Sequence, residues 1–303
     1  LARKLGVTRA SISNALKDIE ELGLRVFKVR GKGYRLPERM AWLDKHEVIA
    51  ALGPKSRLFD LEILDVAEST NTLLFAEAAR GAPDGRVIAA ELQTRGRGRL
   101  GRPWHSSLGG GLTFSLLWRF DQGVGFLSGL SLAVGVALTR ALESQGVGGV
   151  VLKWPNDVLV GGAKLAGILI ELQADMLGPS AAVIGVGLNV RLPESVRSRI
   201  DQAATDLSAA GRGPWDRNLL LAALLSALAD ALTDFARAGF NGFRQEWTAR
   251  HAYQGKRTKL KLPDGSQVEG LVKGVTPEGA LVLSTRTGER KFMSGEILMK
   301  AAR

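Results

Sequence analysis

The stretch Gly96-Arg97-Gly98-Arg99-Leu100-Gly101-Arg102-Pro103-Trp104 restricts the folds open to this chain more than any other. Glycines 96, 98 and 101 satisfy the spacing G-x-G-x-x-G, and Asp121 follows twenty residues after Gly101. In a dinucleotide-binding unit that spacing lies between a strand and a helix whose N-terminus carries the pyrophosphate. The strand is present, since Arg86 to Leu92 reads Arg-Val-Ile-Ala-Ala-Glu-Leu. The helix is not. Pro103-Trp104-His105-Ser106-Ser107 follows, then Gly109-Gly110-Gly111 and the strand-like run Leu112 to Trp118. The dinucleotide reading fails, and an anion-binding loop between two strands remains. Its glycines let the backbone approach a ligand closely, and its arginines are permanent cations with forked donors for phosphate or carboxylate. A loop with so many like charges repels itself when empty. This loop and residues 191–215 are therefore expected to order around their ligand.

Charge also marks the N-terminal end. Residues 1–36 hold nine basic and three acidic side chains, a net +6 out of +11 for the 303 residues. Leu1 to Leu5 reads as the end of a helix broken by Gly6. Thr8 can cap a second helix to about Leu22, which Gly23 ends. Ile12, Ala15, Leu16, Ile19 and Leu22 fall at helical spacing and are expected to be its buried stripe. Arg9, Ser11, Ser13, Asn14 and Lys17 occupy the other faces, with side chains suited to phosphates and base edges. Arg25–Val29 and Tyr34–Leu36 flank Arg30-Gly31-Lys32-Gly33, a basic hairpin. Helix, glycine turn, polar-faced helix and basic wing form a winged helix-turn-helix pattern, for which DNA is the partner.

Pro37-Glu38-Arg39 reads as a linker. Beyond it, helices are expected over Asp44–Leu52, Leu73–Arg80, Gly125–Ser144, Asp216 to about Ala238, and Phe240–Ala252. Strands are expected over Phe59–Val66, Val150–Lys153, Val158–Val160, Leu165–Leu172 and Ala181–Val190. Gly185 and Gly187 in the last of these suggest that another body lies flat against the strand. Residues 191–215 read as a long, functional loop. From Lys256, short strands alternate with turns at Pro263-Asp264-Gly265, Pro277-Glu278-Gly279 and Thr287-Gly288-Glu289, as in a small β-barrel. The apolar run Leu219–Leu232 is interrupted by Asp230 and is too short to span a bilayer. No secretory signal opens the chain, and no cysteine is present. Disulfides, thiolate metal sites and cysteine nucleophiles are excluded, which suits a reducing cytoplasm.

There is no G-x-x-x-x-G-K-[ST] loop, G-x-S-x-G elbow or H-E-x-x-H helix, and His46, His105 and His251 are scattered. What remains is cationic clamps, glycine-lined surfaces and a carboxylate near a lysine. In Lys153-Trp154-Pro155-Asn156-Asp157 a buried strand runs into a turn where Lys153, Asn156 and Asp157 can hold nucleotide phosphates and magnesium. Glu68-Ser69-Thr70-Asn71-Thr72 opens a helix whose free N–H groups and hydroxyls can bind a polar ligand head. This inventory suits joining two anions, such as a carboxylate and a nucleotide α-phosphate. There catalysis is chiefly positioning and neutralisation.

Glu68-Ser69-Thr70-Asn71, Gln93, Gly96–Trp104, Lys153–Asp157 and Lys164-Leu165-Ala166-Gly167-Ile168-Leu169 together resemble the biotin–protein ligases. With the DNA-binding pattern, nearly the whole chain resembles their bacterial branch that also represses the biotin operon. The resemblance implies an α+β chain of three domains. These are a winged helix over 1–39, a mixed-sheet catalytic domain related to class II aminoacyl-tRNA synthetases over 40–254, and an SH3-like barrel over 255–303. It implies a helix before Leu1, so the first domain is expected to lack its first helix. The implied reaction forms biotinyl-5′-AMP from biotin and ATP with Mg2+, then passes biotin to a lysine of a biotin carboxyl carrier domain. Ser69, Thr70, Asn71, Gln93, Arg97, Gly98, Arg99 and Lys164 would surround biotin, with Arg99 and Lys164 neutralising carboxylate and α-phosphate. Arg97, Arg99, Arg102, Trp104, Lys153, Asn156, Asp157 and Asn189 would serve ATP and the adenylate, Trp104 and Asn189 near the adenine. Lys153 and Asp157 would serve phosphates, metal or the incoming lysine. Arg9, Ser11, Ser13, Asn14, Lys17, Arg30 and Lys32 would bind operator DNA, as an adenylate-stabilised homodimer. Two other readings compete. One is a winged-helix regulator that only senses an adenylated metabolite. The other is a lipoate ligase, for which the arginine loop followed by Lys153–Asp157 is the wrong signature.

Overall fold

The computed structural model describes residues 1–36, 41–174, 178–211 and 213–298. The linker expected at Pro37–Arg39 lies outside them. Helices α1 (Ala2–Leu5) and α2 (Arg9–Glu21) are separated by Gly6, whose φ of 67° ends the first. Thr8 caps α2 by accepting from the Ser11 backbone N–H at 3.0 Å, satisfying a donor that the first turn would leave free. Strands β1 (Phe27–Val29) and β2 (Gly33–Arg35) pair antiparallel as the expected wing. The stripe on α2 is shallower than its spacing implies. Ile12 is buried, Leu16, Ile19 and Leu22 are half-buried, and Ala15 is exposed. Two helices and a two-stranded ribbon present too little surface to cover them all.

The central sheet contains β3 (Asp60–Ala67), β4 (Arg86–Gln93), β5 (Gly111–Phe120), β6 (Val150–Lys153), β7 (Asp157–Val160), β8 (Ala163–Ala174) and β9 (Ser180–Asn189). Their order is β3-β4-β5-β9-β8-β7-β6, parallel between β3 and β4 and antiparallel elsewhere. Side chains alternate between the two faces of such a sheet. Ala182, Ile184, Val186 and Leu188 of β9 therefore enter the main core. Helices α3 (Lys45–Leu52), α5 (Leu130–Ser144) and α8 (Arg217–Ala238) cover that face. On the opposite face α4 (Thr70–Ala79) lays Leu74 and Ala78 over Ile88, Leu117, Ala181 and Val183. Beyond Val183 that row continues as Gly185 and Gly187. The side chains vanish there, and the sheet offers a bare floor.

Several elements depart from expectation for identifiable reasons. α4 starts at Thr70, three residues early, because Ser69 supplies the cap. The helix expected from Gly125 begins at Leu130, after a 3-10 turn over Val124–Leu127. Gly129 has φ 79°, and a Cβ there would lie 2.7 Å from the Phe240 ring. The Phe240–Ala252 helix is split into a 3-10 turn, Gly239–Gly242, and α9 (Arg244–Arg250). Within the expected loop are α6 (Glu194–Arg197) and α7 (Leu207–Ala210). The apolar run extends further than its charges suggest. Arg217–Gly242 is long and apolar enough by length and composition to cross a membrane, yet α8 buries Leu220, Leu221, Leu224, Leu225, Leu228 and Phe235 in the core.

Beyond α9, β10 (Arg257–Lys261), β11 (Gln267–Val275), β12 (Leu281–Thr285), β13 (Gly288–Phe292) and β14 (Glu296–Ile297) form an antiparallel sheet ordered β13-β12-β11-β10-β14. Its buried Leu260, Val272, Leu281 and Leu283 join the main core. Trp154 ties this sheet to the turn after β6, its indole N–H donating to Gly279 O at 3.0 Å.

His251 sits at the same joint, 5 % exposed and stacked on Trp247 with ring centroids 4.5 Å apart. Burial, reinforced by the nearby Lys256 charge, pushes its pKa down from 6.5 to about 3. Between those values the unfolded chain binds a proton that the folded chain refuses, so stability falls as pH drops below 6.5. From pH 7 to pH 5 this should cost about 2 kcal/mol. Denaturant titrations should find His251→Phe losing about that much less than the parent across the interval. Equal losses would show that His251 does not carry the effect.

Candidate active site

A cleft of about 780 Å³ opens on the α4 face of the sheet, beside Gly185 and Gly187. It draws Ser69, Thr70 and Asn71 from the start of α4, Gln93 from the end of β4 and most of the arginine loop, including Arg97, Arg99, Arg102 and Trp104. Lys153, Asn156, Asp157, Lys164 and Asn189 come from strand ends and turns, and Gly295 and Glu296 from the C-terminal sheet. Every residue that sequence motifs assigned to biotin or nucleotide lines this one cleft. The DNA-type residues lie elsewhere. Arg9, Ser11, Ser13, Asn14, Lys17, Arg30 and Lys32 are all exposed, although Ser11 also helps cap α2, with its hydroxyl 2.8 Å from Thr8 Oγ1.

The arginine loop closes on itself. Gly98 N–H donates to Arg102 O at 2.7 Å and Trp104 N–H to Gly96 O at 2.8 Å. At its tip Leu100 is held at φ 56°, the only non-glycine described with positive φ. Such a conformation persists only where its surroundings impose it. Trp104 lies flat on the glycine floor, where a Cβ on Gly187 would be 2.3 Å from the indole. The body expected against the paired glycines is this ring. Lys164 Nζ stands 5.8 Å from its centroid, within cation–π reach.

Carboxylates from other parts of the chain offset the loop's charges. Arg95 pairs with Glu68 at 3.4 Å, Arg97 with Glu171 at 3.3 Å, and Arg102 with Glu296 through two bonds, one of 2.6 Å. Those bonds hold Arg102 above its ordinary pKa. Burial pushes the Glu296 carboxyl up, but Arg102 more than offsets this and leaves it below the usual range. Arg99 differs. Its hydrogen bond in the described residues is to a carbonyl, Gly295 O, at 3.5 Å. Burial lowers its pKa despite the opposing influence of Asp157, although a guanidinium stays charged at neutral pH. It is a desolvated cation awaiting an anion.

Across the cleft, Asp157 lies between two ammonium groups, with Lys164 Nζ at 2.6 Å and Lys153 Nζ at 3.4 Å. Lys153 is 2 % exposed. Asp157 thus holds both lysines in place, and the trio keeps a net positive charge. No group of three or more His, Cys, Asp or Glu among the described residues is placed to hold a metal. With Asp157 already engaged twice, the residues here do not fit a resident magnesium ion. Asn156 Nδ2 donates to Ile168 O at 2.6 Å and braces β8. Asn189 Nδ2 donates to Thr205 O at 3.0 Å, while Lys164 N–H donates to Ala203 O and Lys164 O accepts from Thr205 N–H, both at 2.9 Å. Residues 199–204 are thereby drawn along one wall of the cleft.

Sequence motifs missed four contributors. Ser115, in the apolar strand β5, accepts or donates at 2.7 Å to Thr70 and donates to Asn71 at 2.6 Å. Glu171 receives Asn71 and Arg97. Gly295 and Glu296 arrive from 194 or more residues away. A hydroxyl at Ser115 and a charge at Glu171, each within an apolar run, were the signals available for the first two. For the last two there was none.

A cleft that holds a half-buried guanidinium with no ion pair among the described residues, beside a lysine–carboxylate–lysine cluster, defines an enzyme that handles anions, here carrying a helix-turn-helix head. Family models match in three places: an HTH domain over residues 1–35, the biotin/lipoate A/B protein ligase family over 63–189, and the biotin protein ligase C-terminal domain over 253–300. The chain is 34% identical over 302 residues to the bifunctional ligase/repressor BirA of Escherichia coli (strain K12), covering 100% of this chain and 92% of the relative. It is 31% identical over 296 residues to BirA of Bacillus subtilis (strain 168), covering 97% and 90%. Its fold matches a biotin protein ligase from Aquifex aeolicus solved in complex with biotin and ATP, with TM-score 0.67, 29% identity, and coverage of 80% of this chain and 99% of that one. The chain belongs to the biotin protein ligase family.

The seat of Trp104 can be tested directly. Gly187→Ala should force the indole away and cost about 1–3 kcal/mol, as overpacking does. Adding Trp104→Ala should recover part of that loss. In a denaturant double-mutant cycle, strictly additive losses would show that the two positions do not touch.

Proposed function

We propose that this chain is an ATP-dependent biotin–[acetyl-CoA-carboxylase] ligase that also acts as a DNA-binding repressor of biotin genes. The observation that carries the ligase reading is Arg99, the loop arginine that makes no ion pair with a carboxylate among the described residues. It lies half-buried in the cleft that Lys164 and Asp157 also line. The reaction brings together two groups that repel each other. A biotin carboxylate oxygen attacks the α-phosphorus of ATP, a P–O bond forms, and pyrophosphate leaves. An acceptor lysine amine then attacks the biotinyl carbonyl of the mixed anhydride, and AMP leaves.

Arg99 and Lys164 are suited to neutralising the carboxylate and α-phosphate, in a site dry enough for charges to count. Asp157 keeps Lys164 and Lys153 from repelling each other before substrate arrives. Ser69, Thr70, Asn71 and Gln93 would take the polar biotin ring, with Arg97 and Gly98 closing over it. Trp104 and Asn189 would flank adenine, while Arg102, Lys153 and Asn156 would line the nucleotide side. Magnesium would enter with the ATP phosphates. A biotin carboxyl carrier domain would supply the lysine.

Three domains with limits near 39 and 254 fit this reading. The central one would be related to class II aminoacyl-tRNA synthetases and the last would be SH3-like. The cytoplasm is the expected setting. The exposed face of α2 and its wing support operator binding through Arg9, Ser11, Ser13, Asn14, Lys17, Arg30 and Lys32. Phosphate contacts from one such head are weak and salt-sensitive, so tight binding favours a two-fold dimer on two half-sites. Beyond Ile168, whose backbone is still held by Asn156, β8 pairs with β9 on one side and, among the described residues, with no strand on the other. This open edge is available to a second copy.

With biotin, ATP, magnesium and a carrier-domain acceptor, covalent biotin should appear on the acceptor lysine. Adenylate bound without transfer would instead support a sensor alone. Arg99→Ala and Lys164→Ala should each lower biotin-dependent pyrophosphate exchange by about 10²–10³-fold while remaining folded. Parental rates in both would sink these roles. Sedimentation at tens of micromolar should give a mass of about two chains with biotinyl-adenylate and about one without it. A single-chain mass under both conditions would overturn the switch.

A further inference from the structure

Glu171 belongs to none of the motifs. It lies on β8, on the cleft face of the sheet, and takes hydrogen bonds from two residues assigned to biotin. Asn71 Nδ2 donates to Glu171 Oε2 at 2.9 Å and to Leu169 O at 3.3 Å. A terminal nitrogen of Arg97 lies 3.3 Å from both Glu171 oxygens and donates to Thr72 Oγ1 at 2.9 Å. On the far side of Asn71, Oδ1 accepts from Ser115 Oγ at 2.6 Å. Ser115 Oγ is in turn 2.7 Å from Thr70 Oγ1, and Gln93 Oε1 accepts from Thr70 N–H at 2.7 Å.

Each hydroxyl has a single hydrogen. Ser115 gives its own to Asn71, so the Thr70–Ser115 bond must be made by the Thr70 hydrogen. That hydrogen is directed inward, towards Ser115 and the Gln93 oxygen 3.1 Å away. The relay therefore runs one way, from Thr70 through Ser115 and Asn71 to the Glu171 carboxylate. A carboxylate accepts only, and here it takes donors from both sides. Thr70 is left with a lone pair towards the cleft.

The geometry points to Glu171 as a positioning residue. Its charge orients the relay so that the cleft floor offers acceptors to ligand N–H groups, and it tethers Arg97 of the arginine loop alongside. This rests on the ligase reading above, because biotin, with its urea ring, supplies the N–H donors to be matched. Glutamine at this position offers one acceptor and two donors. Leu169 O still favours the present orientation of Asn71, but without the charge that preference weakens, and wherever Asn71 turns over the relay reverses and a Thr70 O–H meets the ligand N–H.

Two measurements on the full chain decide the matter. Glu171→Gln and Glu171→Ala should raise the KM for biotin about tenfold, the size of one misdirected charge-assisted hydrogen bond. In both, kcat and the KM for ATP should stay within about twofold. Glu171→Asp, which keeps the anion, should recover part of the loss. Unchanged KM for biotin, or all three constants moving together, would overturn the assignment. The second measurement needs no biotin. Trypsin should cut the loop at Arg95, Arg97 or Arg99 about fivefold faster in Glu171→Ala than in the parent, because the tether is gone. Equal cutting rates would overturn the tether. A parent that cuts slowly but shows no biotin-dependent pyrophosphate exchange would leave the tether standing and remove the ligase reading.

Discussion

Charge compensation across distant parts of the chain is the condition on which the site depends. Four arginines between residues 95 and 102 cannot share one loop without anions to offset them. The fold brings Glu68 from the end of β3, Glu171 from β8 and Glu296 from β14 to three of them. Among the described residues Arg99 makes no ion pair with a carboxylate, and it is the least exposed of the four. The compensated arginines fix the loop's shape, and the proposed chemistry falls to the uncompensated one. The same arrangement recurs at Asp157, where one carboxylate stands between two lysines and leaves one positive charge over.

A second constraint is the disappearance of side chains along one face of β9. From Ala181 and Val183, which pack under α4, the row passes to Gly185 and Gly187. A Cβ at either glycine would strike Asn71 Oδ1 at 2.1 Å or the Trp104 indole at 2.3 Å. The helix covers the sheet up to that point and the arginine loop covers it beyond. Between them the cleft has a floor of backbone, which can lie closer to a flat ligand than any side-chain surface.

The central sheet and the C-terminal sheet both line this cleft, and the N-terminal helices touch segments beside it. Glu296 and Gly295 reach the arginine loop from the C-terminal sheet. Residues 199–204 line another wall, and Arg199 of that segment donates to Glu21 O at the end of α2, at 3.0 Å. Leu108, just past the loop, donates its N–H to Leu22 O at 3.1 Å. The N-terminal helices thus rest on a segment that also lines the cleft, a physical connection between the two.

The sequence by itself determined the elements and the motif residues, because those depend on local chemistry. Thr8, Asp44 and Asp216 are caps wherever they start a helix, and the residues after the glycine–arginine loop, Pro103 to Trp118, excluded a helix there without reference to any fold. The lysine of Lys153–Asp157 and the paired glycines of β9 were likewise legible, since a buried cation or a bare strand needs a reason. What only the tertiary structure decided was which charge answers which. Glu296 is 194 residues from Arg102, and nothing local distinguishes it from other glutamates. Asn156 lines the cleft as its motif suggested, but that its amide also donates to Ile168 O follows only from the turn that carries it against β8. The Gly125 helix began at Leu130 because Phe240, 111 positions after Gly129, occupies the space beside it. Local sequence sets what a residue can offer, and long-range packing sets which partner it meets.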